Sequence, residues 1–277
     1  MIPAQLPVFR NSWYNLPMTD FQSPLLAGKT GLIMGVANDW SLAWGIAEAA
    51  KAAGATLILT YPNAAMEKRV RPLAEKLGAT VLECDVSSED QLAKLAESIP
   101  NLDFLVHAIA FANKEELKGG ITNTTKEGFA LALDVSCYSL IGLMKHLKTK
   151  LNPGASVITL TYEGSIKVVP NYNIMGVAKA ALEAAVRYLA AEFGPLNIRV
   201  NAISAGPVNT LAARGISDFG TMLKHHESTA PLRRLTSQAD VAGAALYLLS
   251  FLGSGTTGEV LNVDTGAHLL GPTPAAL

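Results

Sequence analysis

The chain is predicted to be an α/β protein: a doubly wound parallel sheet of seven strands with helices on both faces, in a single domain. Three observations predict this. Short apolar runs alternate with longer helix-like segments along most of the 277 residues. The apolar runs are nearly continuous, as expected of strands covered on both faces. No linker, repeat or low-complexity stretch divides the chain.

The elements follow in order. TGLIMG (30–35) is a short apolar run ending in glycine and reads as the first strand. SLAWGIAEAAKAAG (41–54) is an Ala-rich helix stopped by Gly54. TLILTY (56–61) is the second strand, and AMEKRVRPLAEKLG (65–78) a helix that contains Pro72. TVLECDV (80–86) is the third strand. The next helix opens with Ser87 and Asp90 at capping-box spacing. LDFLVHAIAF (102–111) is the fourth strand. A polar loop leads to a long helix whose start is marked by Thr124 and Glu127. ASVITLTY (155–162) and IRVNAISAG (198–206) are the fifth and sixth strands, with a helix between them ending at Gly194-Pro195. SQADVAGAALYLLS (237–250) is the last helix and EVLNVD (259–264) the last strand. Right-handed crossovers join such a series into one sheet. The domain is expected over 25–270, with an N-terminal arm (1–24) and a short tail (271–277). The stretch 206–236 carries no clear element, and 207–236 is expected to act as a lid.

Composition narrows the function. Hydrophobic residues make up 49% and charged residues 16%, which points to apolar surface buried between subunits. The net charge is −1 and no basic cluster appears, so neither nucleic acid nor an anionic membrane is an expected partner. No apolar run reaches the roughly eighteen residues of a membrane helix. Cys84 and Cys137 lie in apolar segments and read as core residues of a reducing, cytoplasmic protein. The first two dozen residues lack the apolar stretch of a secretory signal, and Met18 is an alternative start. His225-His226 reads as a solvated pair. No Ser-His-Asp order or His/Cys cluster suggests a nucleophile or a metal.

In a doubly wound sheet, ligands bind at the carboxyl ends of the strands. The loop after the first strand runs from Gly35 to Ser41. Gly35 lets the chain turn, and Ser41 stands where the helix begins, beside N–H groups suited to a pyrophosphate. The loop is not G-x-G-x-x-G; alone it describes a tight turn and a capping serine, and its place after the first strand makes it a dinucleotide site. The second strand ends Thr60-Tyr61-Pro62-Asn63, with no acid for an adenosine ribose. Lys68 and Arg69 follow a few residues on. NADH is the expected cofactor, with NADPH left open.

Tyr162 closes the fifth strand. Tyr172 and Lys179 lie seven residues apart at the start of the next helix, which puts both on one face. An ammonium near a phenol favours the phenolate and makes the phenol a better donor. The same spacing also describes an ordinary helix in which Lys179 pairs with Glu183.

Together these residues resemble the short-chain dehydrogenase/reductase superfamily, and within it the divergent branch of enoyl-acyl-carrier-protein reductases. The resemblance rests on four stretches. They are Gly35, five residues, Ser41 and Leu42-Ala43; PNYNIMGVAKA (170–180); the Tyr-x6-Lys spacing with Tyr162 upstream, where ordinary members use Tyr-x3-Lys; and RVNAISAGPVNTLAA (199–213). It covers about 26–266 and implies a Rossmann-type fold and a homotetramer. It implies NADH-dependent reduction of the C2=C3 bond of a trans-2-enoyl thioester, with the enoyl-acyl carrier protein as substrate in bacterial fatty acid synthesis. Tyr172 would hydrogen-bond the thioester oxygen as charge develops there. Lys179 would hold the nicotinamide ribose. Tyr162 would line the pocket and assist proton delivery. Gly35, Ser41 and Leu42 would contact the cofactor's phosphates and ribose, Asp85 and Val86 would flank the adenine, and Ile109 would lie under the adenosine side. Ala112 would lie near the substrate. Val208, Asn209, Thr210, Leu211 and Ala212 would cover the nicotinamide amide and pyrophosphate.

The chain departs from the pattern at Pro62, at Ala108 and Ala110 in place of Ser and Gly, and at Thr265 in place of a common Gly. The segment GISDFGTMLKHH (215–226) is short of basic groups for an acidic carrier, with Lys224 and the preceding Arg214 remaining. Two other readings remain: a short-chain carbonyl reductase or dehydrogenase, and a non-catalytic dinucleotide-binding protein.

Overall fold

The structure, a computed structural model, describes residues 24–208 and 219–271. Seven parallel strands form one sheet: β1 (Thr30–Met34), β2 (Thr56–Tyr61), β3 (Thr80–Glu83), β4 (Leu102–His107), β5 (Leu151–Thr161), β6 (Arg199–Ala205) and β7 (Val260–Val263). Their spatial order is β3-β2-β1-β4-β5-β6-β7. Helices α1 (Leu42–Ala52), α2 (Ala64–Leu77) and α8 (Gln238–Leu249) belong with one face. The other carries α3 (Glu89–Ser98), α4 (Lys126–Leu133), α5 (Ser139–Leu147) and α6 (Ile174–Phe193). A further helix, α7 (Phe219–Thr229), follows β6.

Both faces of the sheet are dry, which explains the continuous apolar runs. Successive strand residues feed opposite cores. Leu32 and Met34 belong to one, and Ile33 to the other. Leu105 and Val157 face the first, while Phe104, Val106 and Ile158 face the second. Burying one such side chain is worth roughly 1.5–3 kcal/mol, so neither face tolerates a polar stripe.

Several boundaries differ from expectation, each for a local reason. The cap of α3 is Ser88, whose hydroxyl accepts from Gln91 N–H at 3.4 Å. Ser87 turns back to Asp85 instead, donating to its carboxylate at 2.7 Å. Thr125, not Thr124, caps α4, and it accepts from Gly128 N–H at 2.9 Å. β4 stops at His107, four residues early. β5 begins at Leu151, because an irregularity in its pairing with β4 admits residues before Ala155. Pro72 stays inside α2 on its exposed side, where water can satisfy the carbonyl it orphans.

α4 and α5 join through a π turn (Asp134–Tyr138) into one helix, Lys126–Leu147. That helix is long and apolar enough to cross a membrane by length and composition, which the search for an unbroken apolar run missed. Half of it is buried within the fold. The stretch 206–236 was expected to carry no clear element, and α7 (Phe219–Thr229) lies within it.

Candidate active site

β1 and β4 are neighbours, but the chain leaves them toward opposite edges of the sheet. Their carboxyl ends therefore open a crevice, the usual ligand position in such sheets. Gly35 sits at its floor with φ +97°. A Cβ there would fall 2.0 Å from the Ala108 carbonyl oxygen, so only glycine lets the two strand ends meet.

Ser41 caps α1 as expected. Its hydroxyl accepts from Trp44 N–H at 3.3 Å and donates to the Asn38 carbonyl at 2.7 Å. Leu42 is the first helical residue. Gln238 braces the loop from α8, donating to the carbonyls of Ser41 (2.7 Å) and Asp39 (3.1 Å). No acidic residue stands in the first turn of α1 to offset its positive end. A braced helix start with a glycine approach fits a pyrophosphate.

At the end of β3, Asp85 accepts from Ser87 N–H at 3.0 Å, and its own N–H donates to Gln91 at 2.8 Å. Val86 beside it is buried. Ile109 lies partly buried past β4 against the helical core. Asn63, at the end of β2, caps α2 by accepting from Met66 N–H at 3.1 Å. Ala112 is half-buried. The Phe111 backbone before it is held on both sides by Ser136, whose hydroxyl accepts from Phe111 N–H (2.9 Å) and lies 3.1 Å from its carbonyl. Ser136 belongs to the π turn, which turns it toward this edge. A π turn has no signature in the apolar pattern, so Ser136 escaped notice.

Tyr162 follows β5 directly, and its hydroxyl reaches Met222 Sδ on α7 at 3.6 Å. Tyr172 meets it edge to face, with ring centroids 5.1 Å apart. Two glycines permit this. A Cβ on Gly164 would lie 2.5 Å from the Tyr172 ring, and one on Gly176 would lie 2.6 Å from the Gly164 carbonyl. Burial pushes both phenols above their ordinary pKa.

Lys179 is buried on α6, and its Nζ donates to the Leu160 carbonyl of β5 at 2.7 Å. Burial lowers its pKa to about 8, against the opposing pull of Glu183. Glu183 is also buried and accepts from Thr161 Oγ1 at 2.6 Å. So Lys179 and Glu183, read earlier as a surface alternative, are both buried and each makes its hydrogen bond with β5.

Three expectations need correction. α6 starts at Ile174, so Tyr172 stands in the turn before the helix and not on its face. The ammonium was expected to favour the Tyr172 phenolate. In the folded protein burial dominates, and the neighbouring Tyr162 and Glu183 push the same way. His226 is likewise not solvated: it is buried, with Nε2 3.0 Å from Thr265 Oγ1. Val208 lies half-buried beyond β6. Asn209, Thr210, Leu211, Ala212 and Arg214 lie outside the described residues. Among the described residues no group of His, Cys, Asp and Glu could hold a metal.

Known proteins share this fold. Residues 35–268 match the family described as "Enoyl-(Acyl carrier protein) reductase". The enoyl-[acyl-carrier-protein] reductase [NADH] of Rickettsia typhi is 54% identical over 252 residues, 89% of this chain and 97% of the relative. Enzyme 1 of that name from Rhizobium meliloti is 52% identical over 254 residues, 90% of this chain and 93% of the relative. The enoyl-acyl carrier protein reductase of Bacillus cereus, solved with NADP+ and indole naphthyridinone, superposes with a TM-score of 0.88 at 47% identity, covering 90% of this chain and 99% of that one. The Anaplasma phagocytophilum reductase, solved with NAD, gives 0.86 at 49% identity, covering 91% and 96%. The fold, the crevice between β1 and β4, the Tyr162–Tyr172 pair and the buried Lys179 thus sit in a chain that belongs to the enoyl-(acyl carrier protein) reductase family.

Proposed function

We propose that the chain reduces the C2=C3 double bond of trans-2-enoyl thioesters carried on acyl carrier protein, with NADH as reductant, in bacterial fatty acid synthesis. The observation that carries this reading is the edge-to-face pairing of Tyr162 and Tyr172 after β5, on the same carboxyl edge of the parallel sheet as the Gly35 turn after β1. The bound cofactor supplies a hydride to C3 of the substrate. The chain's own groups do the rest. The Tyr172 hydroxyl donates to the thioester oxygen as negative charge gathers there. A phenol with a raised pKa stays protonated at neutral pH, so it can donate. Tyr162 backs the Tyr172 ring, lines the acyl pocket and assists protonation. Lys179 presents its ammonium to the nicotinamide ribose. Gly35, Ser41 and Leu42 receive the pyrophosphate, with Asp85, Val86 and Ile109 around the adenosine. Val208 beyond β6 would border the nicotinamide, and Ala112 the substrate.

We also read the protein as a cytoplasmic homotetramer. Phe129 on α4, Tyr138 and Ile141 in and beyond the π turn, and Val177 and Tyr188 on α6 expose large apolar surface. A second copy would cover it. Sedimentation of the purified chain tests the assembly. Both cysteines are unbonded and buried, in keeping with a reducing compartment.

The activity test follows nicotinamide absorbance with crotonyl and dodecenoyl thioesters, supplying NADH and NADPH in turn. Turnover is expected with the thioesters and not with simple ketones. Protein that binds NADH but leaves the thioesters untouched would refute the reading.

A further inference from the structure

Asn173 follows Tyr172 and occupies the cap position of α6, yet its side chain makes no cap bond. An asparagine there ordinarily accepts from a helix N–H. Here Nδ2 instead donates to the carbonyls of Leu117 (3.2 Å) and Gly119 (3.0 Å), in the loop after β4.

The backbone is arranged to permit this. Asn173 has φ 37° and ψ −115°, and Met175 N–H donates to the Tyr172 carbonyl at 2.9 Å. That is close to a type II′ turn with Tyr172 first and Asn173 second, a position that suits glycine and asparagine. Asn171 on the other side of Tyr172 also has positive φ, at 61°. The tyrosine therefore sits between two bends, held through its ring by Gly164 and Tyr162 and through its backbone by Asn173.

The loop that Asn173 grips is itself fixed. Glu116, buried within it, accepts from Thr125 N–H (2.9 Å) and Thr125 Oγ1 (2.7 Å) at the start of α4. The same loop begins at Ala112 and Phe111, on the Ser136 anchor. One asparagine thus ties the Tyr172 turn to the segment that leaves the crevice from β4.

We infer that Asn173 is a positioning residue for Tyr172: it gives up its helix cap to clamp the loop after β4, and so holds the phenol in register with the pocket wall. This rests on the proposed enoyl reduction for its kinetic readout. The clamp itself is read separately, by trypsin cleavage of the full chain after Lys118 in the loop.

The tests use Asn173→Gly, which keeps the positive φ but removes both donors, and Asn173→Asp, which turns a carboxylate toward the two carbonyls. Both should be cut after Lys118 faster than wild type. Both should lose about 10- to 100-fold in kcat, the scale of a small misplacement of a reacting group, with NADH affinity unchanged. In a Tyr172→Phe background, Asn173→Gly should cost nothing further in kcat, because its effect runs through the phenol. An equal loss in both backgrounds would overturn the positioning role, as would Asn173→Gly with wild-type kcat. Wild-type cleavage rates in both variants would overturn the clamp. If the wild-type chain showed no thioester turnover, the functional reading would fail alone, and the cleavage rates would still decide the clamp.

Discussion

Tyr162 and Tyr172 meet edge to face, with planes at 77° and centroids 5.1 Å apart. The contact lets either ring support the other while each hydroxyl keeps its own direction. Tyr162 points to Met222 on α7. Replacing either tyrosine with phenylalanine keeps this packing and removes one hydroxyl. Tyr172→Phe should cost about 10²–10³-fold in kcat, the usual scale for one lost oxyanion donor. Tyr162→Phe should cost less than Tyr172→Phe, since its hydroxyl reaches Met222 and is not assigned to the developing charge. Steady-state turnover of a crotonyl thioester measures both. Equal losses would reverse the assignment.

Lys179 sets an alkaline limit. Its folded pKa of about 8 lies below the ordinary lysine value of 10.5. Below pH 8 it is charged in both the folded and unfolded chain. Between pH 8 and 10.5 the unfolded chain holds the extra proton, so this group's contribution to stability rises with pH there. Cofactor binding runs the other way, because the ammonium that would hold the ribose is lost above pH 8. NADH affinity, followed by nicotinamide fluorescence, should fall through that pH. Lys179→Met should weaken it by about 10- to 100-fold at neutral pH, the scale of a hydrogen bond to a charged group, and should abolish the alkaline fall.

His107 sets an acid limit on stability. It is fully buried, with Nδ1 2.9 Å from Thr159 Oγ1 and Nε2 2.8 Å from Ser139 Oγ. Burial, followed by the nearby Lys179 charge, lowers its pKa to about 3. Between pH 6.5 and 3 the unfolded chain binds the extra proton, so stability falls as pH drops through that window. His226, also lowered by burial, adds in the same direction. Thermal unfolding at neutral pH and near pH 5 should show a smaller drop for His107→Gln than for wild type.

Gly35 tests the floor of the crevice. Alanine there meets the Ala108 carbonyl and must adopt φ near +97°. Strain of this kind costs about 1–3 kcal/mol before the clash is counted. Gly35→Ala should lower the denaturation midpoint and abolish NADH binding together. Gly164→Ala should behave differently: its Cβ meets the Tyr172 ring, so kcat should fall while NADH still binds.

Local pattern alone was enough for the order of the seven strands along the chain and the Ser41 cap, while Tyr162, Tyr172 and Lys179 stood out as candidates only through their motif resemblance. Each is readable because its signal lies within a few residues: an apolar run, a hydroxyl before a helix, a motif spacing. Tertiary packing decided the rest. It alone decided that β1 and β4 are neighbours, because strand order depends on which apolar faces close over one another. It moved Tyr172 off the helix into a bent turn, since Gly164 and Gly176 bring two segments together only in the folded chain. It also set the protonation of the site. Lys179 and Glu183 have the spacing of a solvated surface pair in sequence, and the solvent that would screen them is removed only when α6 packs against β5.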